Sequence, residues 1–197
     1  MTKHDTPRTE LTRAERLRAA THPTHEGLDK SIMAGAPFAS MANYGRFVAV
    51  QHAFHRDVSP LYARADLAAL IPDLAGLSRY EAVTQDAADL SVTLPDYADA
   101  PAGETLSLPE ALGWLYVVEG SNLGAAFLFK AAQRMGLSEA HGARHLAGAP
   151  EGRAGHWRAF TSALNSVDLS EAGDAGVVSG AEAAFARVQA LVAQHLG

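Results

Sequence analysis

The sequence contains no cysteine in 197 residues. That excludes a disulfide framework, a thiolate metal site, a covalent CxxCH haem attachment and a cysteine nucleophile. Lysine is nearly as scarce, with 3 against 13 arginines, and the formal net charge is −6. Generic nucleic-acid binding needs a basic surface, so no nucleic-acid partner is expected. The arginines leave room for a local anion site. Extended β-branched runs are few, whereas alanine occurs 40 times. Alanine is the best helix former and a poor strand former, so the composition points to an all-α fold. Apolar residues at 48% and charged ones at 19% suit one globular domain of this length.

Several motifs are missing as well. There is no H-E-x-x-H, no E-x-x-H, no G-x-x-x-x-G-K-[ST] and no G-x-S-x-G. Zincin, di-iron bundle, phosphate-loop and hydrolase readings therefore fall away. Any metal chemistry passes to the nine histidines, the carboxylates or tyrosine. The stretch Met1–Glu10 is polar and has no apolar run, so no signal peptide is read there. Residues 1–11 are expected to be a flexible lead into one helical domain over 12–197. The one apolar stretch of membrane-like length, Ala111–Phe129, carries Glu119, Ser121 and Asn122 in its middle. Each would be costly in lipid, so a monomeric cytoplasmic protein with no membrane partner is expected.

Thr12-Arg13-Ala14-Glu15 has the capping-box spacing and predicts a helix towards Met33, kinked or broken at Pro23. A second helix is expected from Met41 to Arg64, disturbed near its end by Pro60. Shorter ones fit Leu67–Ile71 and Leu77–Asp89, and Ser91–Thr105 reads as a loop. Ser107-Leu108-Pro109-Glu110 opens a long helix ending near Gly136. Ser138–Gly155 reads as a loop or broken helix. Further helices are expected over His156–Asn165 and from Ala181 to His195, behind Ser179-Gly180-Ala181-Glu182.

A helical wheel at ~100° per residue places Leu17, Thr21, His25, Leu28 and Ile32 within an arc of about 80°. Arg18, His22, Glu26 and Asp29 fall on the neighbouring polar side, so His25 is expected to point inward and His22 to water. A lone histidine on an apolar stripe is more often a core residue than a ligand. Asp29, one turn on, favours the ligand, since a carboxylate there fixes the ring tautomer as in metal-bound histidines. Arg18 lies two turns back, where the acidic edge of a flat ligand would reach. On the second helix Gln51 and His55 interrupt the stripe of Tyr44, Phe47, Val48 and Val58, and buried polar groups need partners. His52, about 80° from Tyr44 on the same wheel, is expected to be peripheral.

The segment Glu119-Gly120-Ser121-Asn122-Leu123-Gly124 is unusual, because each glycine inside a helix costs about 1 kcal/mol relative to alanine. Two glycines one turn apart open a groove. It serves close helix packing or the approach of a flat cofactor, with Ser121 and Asn122 beside it, and spacing alone leaves both readings open. Haem between this groove and His25 fits both helices.

These residues resemble a known family, the bacterial haem oxygenases, particularly the group from Gram-negative pathogens and bacteriophytochrome operons. The resemblance rests on Leu17–Asp29, on Phe47–Asp57 around Gln51 and His55, and on Glu119–Phe127. It implies an all-α fold with haem between a proximal and a distal helix, and His25 as the iron ligand. Gly120 and Gly124 then match the distal glycines, with Ser121 and Asn122 over the haem. Arg18, Tyr116 and Lys130 match contacts to the haem propionates. Gln51, His55, Arg79 and Trp157 resemble a distal polar network that orders water. The implied activity is oxidative cleavage of haem b, both cofactor and substrate, to biliverdin, CO and Fe(II). It uses O2 and electrons from an external ferredoxin, flavodoxin or reductase. The basic residue at position 18 resembles members that cut at the α-meso carbon. A non-catalytic haem carrier or sensor using the same pocket is the alternative.

Overall fold

The computed structural model describes residues 11–97, 99–148 and 152–197, so all but Leu11 of the expected flexible lead lies outside the described residues. Among the described residues seven α-helices run in chain order: α1 (Arg13–Ala34), α2 (Met41–Val58), α3 (Ala65–Ala68), α4 (Tyr80–Asp89), α5 (Leu108–Arg134), α6 (Arg153–Ser166) and α7 (Glu171–His195). Among the described residues there is no strand, only isolated bridges from Ser138 to His141 and Gly142. The all-α expectation therefore stands.

Both predicted capping boxes are present. The Glu15 and Glu110 carboxylates accept from the backbone N–H of Thr12 and Ser107, at 2.8 and 2.9 Å. Pro23 does not break α1, contrary to expectation. The proline removes only the bond to the Ala19 carbonyl, and both residues sit on the exposed face, where water can take that carbonyl. The α-helical part of α2 stops at Val58, and the chain continues as a 3-10 turn over Ser59–Ala63 with Pro60 in its first turn.

The last helix begins ten residues earlier than its pattern suggests, at Glu171, with the Ser170 hydroxyl accepting from the Gly173 N–H at 3.2 Å. The glycines before Ala181 are part of the helix, and Gly180 serves packing. A Cβ on Gly180 would lie 2.3 Å from the Glu110 carbonyl oxygen, and one on Gly113 would lie 2.2 Å from that of Val177. No side chain fits at either point, so α5 and α7 touch backbone to backbone and form the centre of the core.

Helix α1 runs parallel to α7 in a constant register. Arg13 pairs with Asp174 at 2.6 Å, His25 meets Phe185, and Gly35 meets Leu196. Arg13, nearly buried, also donates to the carbonyls of Leu164 and Val167, tying the start of α1 to the end of α6. Leu17, Thr21 and Leu28 are buried in this seam. Helix α5 is long and apolar enough to cross a membrane by length and composition alone. Here it is a core helix, with Ala111–Glu119 buried without interruption.

Candidate functional site

Helices α1 and α5 each pack against α6 and α7 but hardly against each other. That spacing implies a slot between them, bridged by α6 and α7. Arg18 of α1 lies within electrostatic reach of Tyr116 of α5, which marks one end of the slot. The α5 face that carries Tyr116 continues through Gly120, Leu123, Gly124, Phe127 and Lys130, which are linked by i, i+3 and i, i+4 spacings.

His25 stands on the α1 side. It is not interior: the side chain is 55% exposed, so the apolar stripe of α1 ends at the slot and not in the core. Its ring meets the edge of Phe185 with centroids 6.0 Å apart, and Nδ1 lies 3.2 Å from Asp29 Oδ2. That contact is the expected i, i+4 pair. It occupies Nδ1 and leaves Nε2 as the nitrogen able to hold a metal. His22 is exposed beside Glu26, as the wheel implied.

The α5 side is bare backbone and apolar surface. A Cβ on Gly124 would meet nothing within 4 Å, while one on Gly120 would touch the Trp157 ring at an ordinary 3.4 Å. Leu123 and Phe127 are 45% and 60% exposed, unusual for large apolar side chains on a core helix. Lys130 is exposed at the far end. The slot thus offers one imidazole, an apolar wall free of side-chain atoms at Gly124, and cations at its margin. This donor set fits a flat metalloporphyrin with acidic substituents. Two other pockets, about 260 Å³ beside Tyr97 and His195 and about 130 Å³ beside Ile71 and Phe160, have no lining residue from α1.

Ser121 and Asn122 are turned differently from the sequence expectation. The Ser121 hydroxyl donates back to the Val118 carbonyl at 2.7 Å. Asn122 is buried and donates to Glu119 at 3.2 Å, while its own carbonyl accepts from Arg153. Glu119 is the hub here: it also accepts from Tyr62 at 2.6 Å and pairs with His156 at 2.8 Å. None of Tyr62, Glu119 and His156 was singled out for a role in the sequence. A charged residue inside an apolar helix was the available signal for Glu119, since a buried carboxylate needs partners. Tyr62 and His156 come from distant chain positions and left no local sign.

Behind this hub lie His55 and Arg79. Both His55 Nδ1 and Arg79 Nε are buried without a hydrogen-bond partner. Burial, then the nearby His145, Arg79 and His52, push the His55 pKa down to about 3, so the ring is neutral. Burial also lowers Arg79, against the opposing pull of Glu119 and Tyr62. Gln51 is half-buried one turn before His55, and Trp157 stacks on Phe160 and meets Tyr116 at 5.4 Å. The fold therefore brings Gly120, Trp157 and Tyr116 together, and places His55 near Arg79. His52 is buried, not peripheral: it packs on Tyr80 and bonds the Tyr97 hydroxyl at 3.1 Å. The loop over residues 91–97 covers the side of α2 that a wheel of α2 alone leaves open.

Comparison with known proteins addresses the family and the fold. The family model described as Heme oxygenase matches residues 11–194. The curated protein Heme oxygenase PigA of Pseudomonas aeruginosa is 44% identical over 175 residues, covering 89% of this chain and 88% of its own. The solved structure of NO- and CO-bound haem oxygenase from Neisseria meningitidis superposes with a TM-score of 0.90 at 42% identity, over 95% of this chain and 94% of that one. Haem oxygenase from Leptospira interrogans shares the fold at 17% identity, with a TM-score of 0.73 over 93% of this chain and all of that one.

Proposed function

The chain belongs to the haem oxygenase family, and from that premise we propose that it cleaves haem oxidatively to biliverdin, CO and Fe(II). Haem b is substrate and cofactor at once, supplying the iron at which O2 reacts with electrons from an external ferredoxin, flavodoxin or reductase. The observation that carries this reading is the slot between α1 and α5, with His25 on one side and the open backbone at Gly124 on the other. His25 holds the iron through Nε2, and Asp29 keeps the ring oriented from Nδ1. Arg18 and Tyr116 bind the acidic edge at their end of the slot, where anion and cation meet at the rim, whereas Lys130 stands at the opposite end of the α5 face. Gly120 and Gly124 let the helix backbone approach the ring face, beside Ser121 and Asn122. That steric limit steers attack to one meso carbon, which we assign as α from the cation at position 18.

Gln51, His55, Arg79 and Trp157 line the polar side, where they order water and hold protons ready. His55 is neutral there, so it accepts or donates one hydrogen bond without introducing charge. The protein works as a monomer in the cytoplasm.

Titration with haem should give a Soret band that His25→Ala displaces or abolishes. Adding O2 and a reductant should then yield biliverdin and CO. A stable oxygenated complex with neither product would make the protein a haem carrier or sensor, and an unchanged spectrum in His25→Ala would remove His25 as ligand.

A further inference from the structure

The buried histidine His145 lies beyond the slot and has no part in the reading above. Its Nδ1 is 2.7 Å from Asp86 Oδ2, and its backbone N–H donates to the same oxygen at 2.9 Å. Asp86 is fully buried, and its second oxygen takes Arg144 at 3.0 Å. Arg144 also bonds Asp89, whose carboxylate lies 3.3 Å from the exposed His141. The pair is thus anchored from the surface by a chain of charges.

The inner end of the pair is different. His145 Nε2 is buried with no hydrogen-bond partner, as are His55 Nδ1 and Arg79 Nε. These three groups act on one another electrostatically, and Arg79 also donates to the His145 carbonyl at 3.2 Å. Three orphaned polar atoms within electrostatic reach of one another are groups of the kind that internal water satisfies, typically with two to four bonds. Arg79 Nε donates, and an unprotonated His145 Nε2 accepts. A water placed between them would accept from the first and donate to the second and to His55.

We propose that Asp86 and His145 are a positioning pair for the distal network: Asp86 keeps the ring proton on Nδ1, so that Nε2 accepts from water shared with His55 and Arg79. Charge states agree. Burial would raise the Asp86 carboxyl, but hydrogen bonds from the His145 ring and backbone bring it below its usual range. Burial lowers His145, only partly opposed by Asp86, so an ionised carboxylate faces a neutral ring. Tyr44 also faces Asp86, with its hydroxyl kept protonated by burial, and His52 faces His55 from the same helix. Glu119, Tyr62 and Arg153 face Arg79 from the slot side, which links the pair to the glycine-bearing helix.

The test uses the full chain labelled with 15N, without and with ferric haem. Nitrogen shifts of His145 should show the proton on Nδ1, and Asp86→Asn, whose amide can donate, should move it to Nε2. In the haem complex, the midpoint of the visible spectrum in a pH titration should shift by about 0.5 unit or more, a threefold change in the equilibrium. His145→Gln removes no charge, because the ring is neutral, and should displace the midpoint comparably. Asp86→Glu should restore part of it. A wild-type proton on Nε2 overturns the proposal, as does a midpoint unmoved in His145→Gln. If Asp86→Asn does not fold, the wild-type tautomer and His145→Gln still decide. The inference rests on the haem oxygenase reading for its setting, but the two fail separately. Biliverdin formation with an unmoved midpoint sinks the positioning pair, whereas the expected tautomer and midpoint without biliverdin sink the oxygenase.

Discussion

The same substitution, glycine to alanine, should have opposite effects at two positions of α5 that lie eleven residues apart. At Gly124 the added methyl meets no atom within 4 Å, and the backbone is ordinary helix. The apoprotein then gains the helical preference of alanine, about 0.5–1 kcal/mol, largely by restricting the unfolded chain. For a domain of this size that raises the melting temperature by roughly 1–4 °C. At Gly113 the methyl would stand 2.2 Å from the Val177 carbonyl oxygen and 2.5 Å from the Ala181 nitrogen. Both are backbone atoms of a packed helix and cannot turn aside, so α5 and α7 must part. Overpacking of this kind costs about 1–3 kcal/mol and sometimes more, which exceeds the gain in propensity. Urea denaturation of the haem-free protein measures both. The function of the two variants should invert this order. Gly124→Ala, the more stable one, should lose haem turnover because its methyl occupies the slot, while folded Gly113→Ala should retain it. A destabilised Gly124→Ala apoprotein would refute the claim that this backbone faces open space, and full turnover in it would refute its place against the ring.

Two further outcomes follow from the buried polar groups. His55 has a folded pKa of about 3, below the ordinary 6.5, so the unfolded chain takes up its proton first on acidification. The stabilisation is complete above about pH 6.5 and is lost as pH falls towards 3, by about 1.4 kcal/mol per unit. His55→Asn should therefore weaken the pH dependence of unfolding by about one proton between pH 5 and 6, and equal slopes in both proteins would contradict the assignment. Glu119→Gln exchanges a carboxylate that accepts from Tyr62, Asn122 and His156 for an amide with one accepting oxygen. Bonds to charged groups are worth about 1.5–3 kcal/mol each, so a loss of that order is expected in chemical denaturation. A change below about 0.5 kcal/mol, the ordinary range for surface sites, would show that the hub carries no such load.

The residues by themselves determined a good deal. Alanine content settled the helical class, both capping boxes marked true helix starts, and the missing cysteines excluded thiolate ligation. The pair His25 and Asp29, and the glycines at 120 and 124, were legible because each depends on neighbours within one turn of a helix. Tertiary structure decided what depends on contacts between helices. Gly113 and Gly180 allow the α5–α7 contact, and α7 starts ten residues before its cap pattern suggests, so that it runs through Gly176 and Gly180. A wheel cannot tell a face turned to the core from one turned to a slot, which is why His25 looked interior. Nor can it see a loop covering His52. The hub at Glu119 and the pair at Asp86 join residues up to 59 positions apart. Hydrogen bonds over such distances leave no periodic trace in a sequence, because the fold alone makes their partners neighbours.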